Sequence, residues 1–296
     1  MSVVLITGAA TGIGNLTAKA LARAGHTVYA SMRSVKVSNR EHARELLDIA
    51  EKENQDLRVV ELDVTSQEAA DAAVQRVIDE TGQLDVVVQN AGHLYVGYLE
   101  AFTPEDLAQL FDTNVLGAHR VNRAALPHMR QRRAGTLIWV GSTIPITTPP
   151  FLGPYTASKA AMDSLAVSYA YELNAFGIES TIVMPGAFTQ GTQHFPDASQ
   201  AGDAARAAAY AELDPLVQRN NEAHDQLFPH GAENAHPSAV ADEIVRVLAL
   251  PRGTKPLRTV VDFTEAGVEK ANAVVQSTRE AFVQRMGFGE LLQVKR

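Results

Sequence analysis

The chain has 296 residues, 46% hydrophobic and 20% charged, which is enough apolar material to bury a core without covalent staples. Its 34 acidic and 26 basic side chains give a formal net charge of -8, which argues against nucleic acid or an anionic membrane as partner. Cysteine is absent, so disulfides, thiolate metal sites, iron–sulfur clusters and cysteine nucleophiles are excluded. No apolar run approaches the ~18–20 residues of a membrane span. The N-terminus also lacks the basic, apolar and small-residue succession of a secretory signal, so a soluble, cytoplasmic chain is expected.

Short β-branched runs alternate with longer amphipathic stretches. Strands are predicted over Val3–Ile6, 27–30, 57–62, 84–88, 136–140, 178–184 and 258–262. Most are near-continuously apolar, as parallel strands covered on both faces require. A helix over 12–24 ends at Gly25, and one over 66–81 is bracketed by Ser66 and Gly82. Thr103-Pro104-Glu105-Asp106 reads as an N-cap, a proline at the first helical position and acids in the first turn. Repeated βα units predict an α/β fold with a doubly wound parallel sheet of about seven strands. The stretch 190–237 lacks a strand and should hold one or two helices, and the tail 263–296 should be helical over 265–286. No linker or internal repeat divides the chain, so a single Rossmann-type domain over 1–296 is expected, with 190–237 as lid and 263–296 as extension.

The first strand runs directly into Thr7-Gly8-Ala9-Ala10-Thr11-Gly12-Ile13-Gly14. Gly8 permits a tight exit, and Gly12 and Gly14 let a pyrophosphate approach the next helix N-terminus, where unpaired N–H groups and the dipole favour anions. The second strand ends Tyr29-Ala30-Ser31-Met32-Arg33-Ser34, without the carboxylate that holds a ribose 2′-hydroxyl. Arg33 could instead pair with a 2′-phosphate, favouring NADP over NAD, or be a solvated strand-end charge. Tyr155 and Lys159, four residues apart at a helix start, share one helix face, where an ammonium beside a phenol suits acid–base chemistry. No histidine or carboxylate cluster has convincing metal-ligand spacing, and no metal is expected.

Together these features resemble the short-chain dehydrogenase/reductase family. The matches are the Thr7–Gly14 turn, Gln89-Asn90-Ala91-Gly92 after the fourth strand, Asn114 in the following helix, Ser142 after the fifth strand, Tyr155 with Lys159, and Pro185-Gly186. They cover about residues 1–190 and extend more loosely to Asp262. The resemblance implies a Rossmann-like sheet and reversible hydride transfer between NAD(P) and a small-molecule alcohol or carbonyl. It assigns Tyr155 as general acid or base, Lys159 to the nicotinamide ribose and the tyrosine pKa, and Ser142 to the substrate oxygen. Asn114 would hold a relay water. Asp63 and Val64 would meet the adenine, and Asn90, Ala91, Gly92, Pro185, Gly186 and Phe188 would line the cofactor, together with Gly8, Thr11, Gly12, Ile13 and Gly14.

Three departures from the family pattern stand out. Gln89 replaces the usual first asparagine. The threonine that binds the carboxamide would fall at Gln190, with Thr189 and Thr192 nearby, and the basic residue common in NADP-preferring turns is Thr11. The expected lid carries His194, Phe195, Tyr210, His224, Phe228 and His230, which read as pocket lining or as packing. The resemblance also implies a homodimer or homotetramer through the helices at 104–133 and 154–177. The leading reading is an NADP(H)-dependent alcohol dehydrogenase or carbonyl reductase. The alternatives are a catalytically silent dinucleotide-binding sensor and an epimerase or dehydratase on the same fold.

Overall fold

A computed structural model describes residues 1–192, 194 and 196–295, and for 220–225 the backbone only. Phe195 and the side chain of His224 therefore lie outside the described residues. The seven predicted strands are β1 (Val3–Ile6), β2 (Thr27–Met32), β3 (Leu57–Glu61), β4 (Val86–Gln89), β5 (Gly135–Val140), β6 (Ile178–Pro185) and β7 (Arg258–Val261). They form one parallel sheet in the order β3-β2-β1-β4-β5-β6-β7. The helices are α1 (Gly12–Arg23), α2 (Arg40–Lys52), α3 (Gln67–Thr81), α4 (Pro104–Phe111), α5 (Gly117–Arg132), α6 (Ile144–Thr147) and α7 (Gly153–Asn174), followed by α8 (Ala204–Ala208), α9 (Asp214–Gln226), α10 (Ser238–Leu248) and α11 (Val268–Arg285).

The two-residue period of the strands divides the core. Val3, Leu5, Tyr29, Val87, Leu137, Trp139 and Ile182 face one side, where side chains of α3, α5 and α7 cover them. Val4, Ile6, Val28, Ala30, Val88, Ile138 and Val183 face the other, under α1, α2 and α10. Both faces being dry explains why the strands lack polar alternation. Two buried ion pairs fasten the β7 side: Lys255 with Glu179 at 2.7 Å and Arg258 with Asp163 at 2.7 Å.

The punctuation of the helices follows the sequence closely. Ser66 Oγ accepts from Ala69 N at 3.1 Å, and Gly82 closes α3 with φ +75°. Thr103 Oγ1 accepts from Asp106 N at 3.1 Å while Asp106 Oδ2 accepts from Thr103 N at 2.9 Å, a reciprocal capping box. The continuous helix expected over 104–133 is instead divided by a wide π-turn at Asp112–Leu116. Its cause lies in side-chain contacts: Asn114 is drawn toward the loop after β4, and Gly117 lets Val64 approach so closely that an added Cβ would fall 2.8 Å from Val64 Cγ2. The 190–237 stretch holds α8 and α9, and α11 occupies the tail.

Candidate active site

The sheet order reverses beside β1, whose neighbours β2 and β4 leave in opposite directions, and a crevice opens at the carboxyl ends of these strands. A cleft of about 950 Å³ runs from the glycine turn to the start of α7. Its wall carries Gly8, Thr11, Gly12, Ile13, Arg33, Asp63, Val64, Asn90, Ala91, Gly92, Ser142, Pro185, Gly186 and Phe188, at or just beyond the ends of β1 to β6, and Tyr155 and Lys159 from α7. Gly14, Asn114 and Gln190 do not line it.

Gly8 has φ +65°, and a Cβ there would fall 2.8 Å from Ala91 Cα, so the turn needs glycine both for its backbone conformation and for its neighbour. Gly12 has φ +55°, and among the described residues a Cβ on it would meet only Thr192 Cβ, at 3.9 Å, another residue of the cleft wall. Gly14 has a different task from the one the sequence suggests. A Cβ there would sit 2.4 Å from Gly8 O and from Asn90 Nδ2, so its smallness serves packing between α1 and the turn. Thr11 precedes α1 without a side-chain cap, leaving the first-turn amides of a cleft-lining segment to an anion.

Asn90 stitches the turn to β4, its Nδ2 donating to Thr7 O and Gly8 O, both at 2.9 Å. Buried Thr7, which the motif reading does not single out, accepts through Oγ1 from Asn90 N at 2.9 Å and Ala91 N at 3.0 Å. Gln89 points away from the cleft and donates to Asn122 Oδ1 at 2.8 Å and Ala118 O at 3.2 Å, so it pins α5. Asp63 accepts from Thr65 N at 2.9 Å and Thr65 Oγ1 at 2.7 Å. Those hydrogen bonds, helped by the Arg33 charge, hold its carboxyl below the usual range. Arg33 itself is exposed at the cleft rim.

Tyr155 and Lys159 lie in the opening turns of α7 and are buried, at 8% and 5% exposure. Lys159 Nζ donates to Val140 O at 2.9 Å and stands 5.8 Å from the Tyr155 ring centroid. Spacing alone suggests an ammonium that lowers the phenol pKa. In the structure, burial is the larger influence: it pushes the Tyr155 hydroxyl well up and brings Lys159 down to about 8. Ser142, just past β5 and half-buried, accepts from Ile144 N at 3.2 Å and retains its hydroxyl proton to give. Asn114, 1% exposed, has its side chain engaged by its neighbours. It accepts from His93 N at 2.8 Å and donates to His93 O and Ser158 Oγ, both at 3.0 Å.

His194, which the sequence offers only as one of several histidines, has its Nε2 3.1 Å from Tyr155 Oη. Burial, the Lys159 charge and His93 lower its pKa to about 4, so the imidazole is neutral at physiological pH. Gln190 is exposed, whereas Thr192 lines the cleft and Thr189 Oγ1 is buried without a hydrogen-bond partner among the described residues. The open glycine turn, the basic rim at Arg33 and this unpartnered hydroxyl beside Phe188 fit a dinucleotide.

The sequence model of the short chain dehydrogenases matches residues 2–201. The chain belongs to the short-chain dehydrogenase family. It is 31% identical over 261 residues to the uncharacterized oxidoreductase YusZ of Bacillus subtilis, covering 86% of this chain and 87% of that one. It is 34% identical over 189 residues to 3-ketodihydrosphingosine reductase of Bacteroides thetaiotaomicron and 36% identical over 190 residues to 17-beta-hydroxysteroid dehydrogenase type 1 of Homo sapiens. Those matches cover 64% and 62% of this chain, which spans 65% and 56% of the two relatives. A short-chain dehydrogenase from Streptomyces avermitilis superposes with TM-score 0.73 at 27% identity, covering 98% of this chain and 99% of that one. Among the described residues, no helix is long and apolar enough to cross a membrane.

Proposed function

We propose that the protein is an NADP(H)-dependent oxidoreductase that interconverts an alcohol and a ketone or aldehyde. The observation that carries this reading is the convergence of Tyr155, Lys159 and Ser142 on the same cleft as the glycine turn. Gly8, Thr11, Gly12 and Ile13 would hold the cofactor phosphates, Asp63 and Val64 the adenine, and Asn90 to Gly92 the ribose side. Lys159, Pro185, Gly186 and Phe188 would hold the nicotinamide half, which when bound supplies or takes up the hydride. Ser142 donates to the substrate oxygen and stabilises the alkoxide-like charge that develops there. Tyr155, kept a phenol by burial, gives that oxygen its proton in reduction and takes it back in oxidation. The Lys159 ammonium stands close enough to stabilise the phenolate through space.

Arg33 supports NADP over NAD, since it lines the cleft rim at the end of β2, where no carboxylate stands. Leu94, Ile144 and Leu152 cluster with Tyr155 and give the reacting end apolar walls, which supports a carbonyl flanked by apolar groups. The printed names of the Bacteroides and human relatives, a ketodihydrosphingosine reductase and a hydroxysteroid dehydrogenase, are consistent with such a substrate. In this reading the chain forms one Rossmann-type unit with 190–237 as lid and 263–296 as extension, assembled as a homodimer or homotetramer. A panel of ketones and aldehydes assayed with NADPH and NADH in parallel tests the activity. Tyr155→Phe should lower turnover on the best substrate by about a hundredfold or more with the fold intact. Turnover preserved in that variant would remove Tyr155 from the reaction.

A further inference from the structure

The Tyr155 oxygen has one proton and two lone pairs. In the proposed reaction the proton goes to the substrate oxygen, and what is left is a buried phenolate that needs donors. Lys159 is the obvious candidate, yet its Nζ is engaged with Val140 O at 2.9 Å, and no hydrogen bond joins it to the Tyr155 oxygen. The one hydrogen-bonding partner of that oxygen among the described residues is His194 Nε2, at 3.1 Å. The imidazole meets the phenol ring edge-on, with centroids 5.3 Å apart at 64°, and its backbone N–H is tied to Thr192 Oγ1 at 3.4 Å. Among the described residues, the titratable groups whose charge is felt at this contact include Lys159 from α7 and His93 from the loop after β4. Beyond His93 lie the Asp197 carboxylate, which neighbours His194 on the lid, and the Arg33 guanidinium at the end of β2.

We propose that His194 is a positioning residue for Tyr155: its Nε2–H donates to the Tyr155 oxygen as that oxygen loses its proton, and so holds the phenolate for return of the proton. The inference rests on the assignment of Tyr155 as the acid–base group. Lys159 then acts by charge through space and His194 by a direct hydrogen bond. Because the imidazole is neutral, it adds a donor without a second positive charge in the cleft. The proton it shares stays on Nε2 throughout, and the reaction still consumes one hydride and one proton from the tyrosine.

The test uses the full chain with His194→Phe, which keeps an aromatic ring without a donor, and His194→Gln, whose amide N–H reaches nearly the same point. The direct readout is ionisation of residue 155, made accessible by placing 3,5-difluorotyrosine there, whose phenol is intrinsically more acidic, and followed by ultraviolet difference absorbance. H194F should move that ionisation upward by about one pH unit, and H194Q should return most of it. In alcohol oxidation with the substrate chosen from the panel, H194F should lower kcat about tenfold with little change in KM, and H194Q should recover it. Coincident titrations of H194F and the unaltered chain would overturn the proposal, as would an H194Q variant that behaves like H194F. A rise in kcat/KM in H194F would also overturn it, because the imidazole would then be competing with substrate for the hydroxyl. If residue 155 does not ionise in the unaltered chain, no phenolate exists to be held and the proposal falls. Retained turnover in Y155F would instead remove the acid–base assignment beneath it, whatever the titrations show.

Discussion

Lys159 is a charge placed where the fold does not favour one, and replacing it should separate stability from activity. Burial takes its pKa from the ordinary 10.5 to about 8, a difference that corresponds to about 3 kcal/mol against the ammonium in the folded state. The sign follows from linkage. Below pH 8 both folded and unfolded chains carry the proton, and the full cost is present. Between about pH 8 and 10.5 the unfolded chain binds more protons than the folded one, so stability rises with pH across that window. Lys159→Met keeps the aliphatic stem and removes the charge, at the loss of the hydrogen bond to Val140 O, a bond worth ~1.5–3 kcal/mol when charge-assisted. The two effects nearly offset at pH 7, so the absolute stabilities should be similar there. What differs is the slope. Chemical denaturation of both proteins from pH 7 to 10 should show the wild-type chain gaining about 2.5 kcal/mol on the variant, or about 4 °C in Tm for a chain of this length. Activity of the variant should be lost at every pH. Parallel stability curves across the window would mean that Lys159 is not desolvated as its burial implies.

Three further substitutions probe the cleft and the packing beneath it. Arg33→Asp should turn the cofactor preference from NADPH toward NADH, read as the ratio of kcat/KM with the two; an unchanged ratio would make Arg33 a solvated charge. Gly14→Ala forces a Cβ to within 2.4 Å of Gly8 O, so it should cost at least about 2 kcal/mol in thermal or urea unfolding. A Gly14→Ala chain as stable as wild type would contradict the packing role. Ser142→Ala should lower kcat about a hundredfold while KM changes little, as expected of a donor that acts mainly on developing charge, and a pure KM effect would refute that role.

Much of this was legible from residue order. The strands announced themselves because both sheet faces are dry, which forces runs such as Val3–Ile6 and Val86–Gln89 to be apolar at every position or nearly so. The cleft followed from glycines whose positions reflect backbone need, while Tyr155 and Lys159 stood out through the family resemblance rather than through their spacing, which many helices share. Other features depended on tertiary contacts that periodicity does not encode. The π-turn at Asp112–Leu116 exists because Asn114 grips the His93 backbone, a partner 21 residues away. Gly14 reads as a phosphate residue in the motif but packs against Asn90 from another strand. His194 carries no local signal at all, since its meaning comes from Tyr155, 39 residues earlier. Helix α2 does carry a helical period, with Ala43, Leu46 and Ala50 turned inward from an otherwise charged surface.

Ser199 joins two parts of the molecule that differ in purpose. Its backbone donates to Leu94 O at 2.9 Å and accepts from Val96 N at 3.0 Å, and its hydroxyl meets His93 Nε2 at 2.8 Å. His93 is in turn clamped through its backbone by Asn114. A single thread of short-range contacts therefore leads from the segment after β6 into the π-turn that carries Asn114. Changes that unpair Ser199 should therefore reach beyond the loop that carries it, through His93 to the turn that holds Asn114.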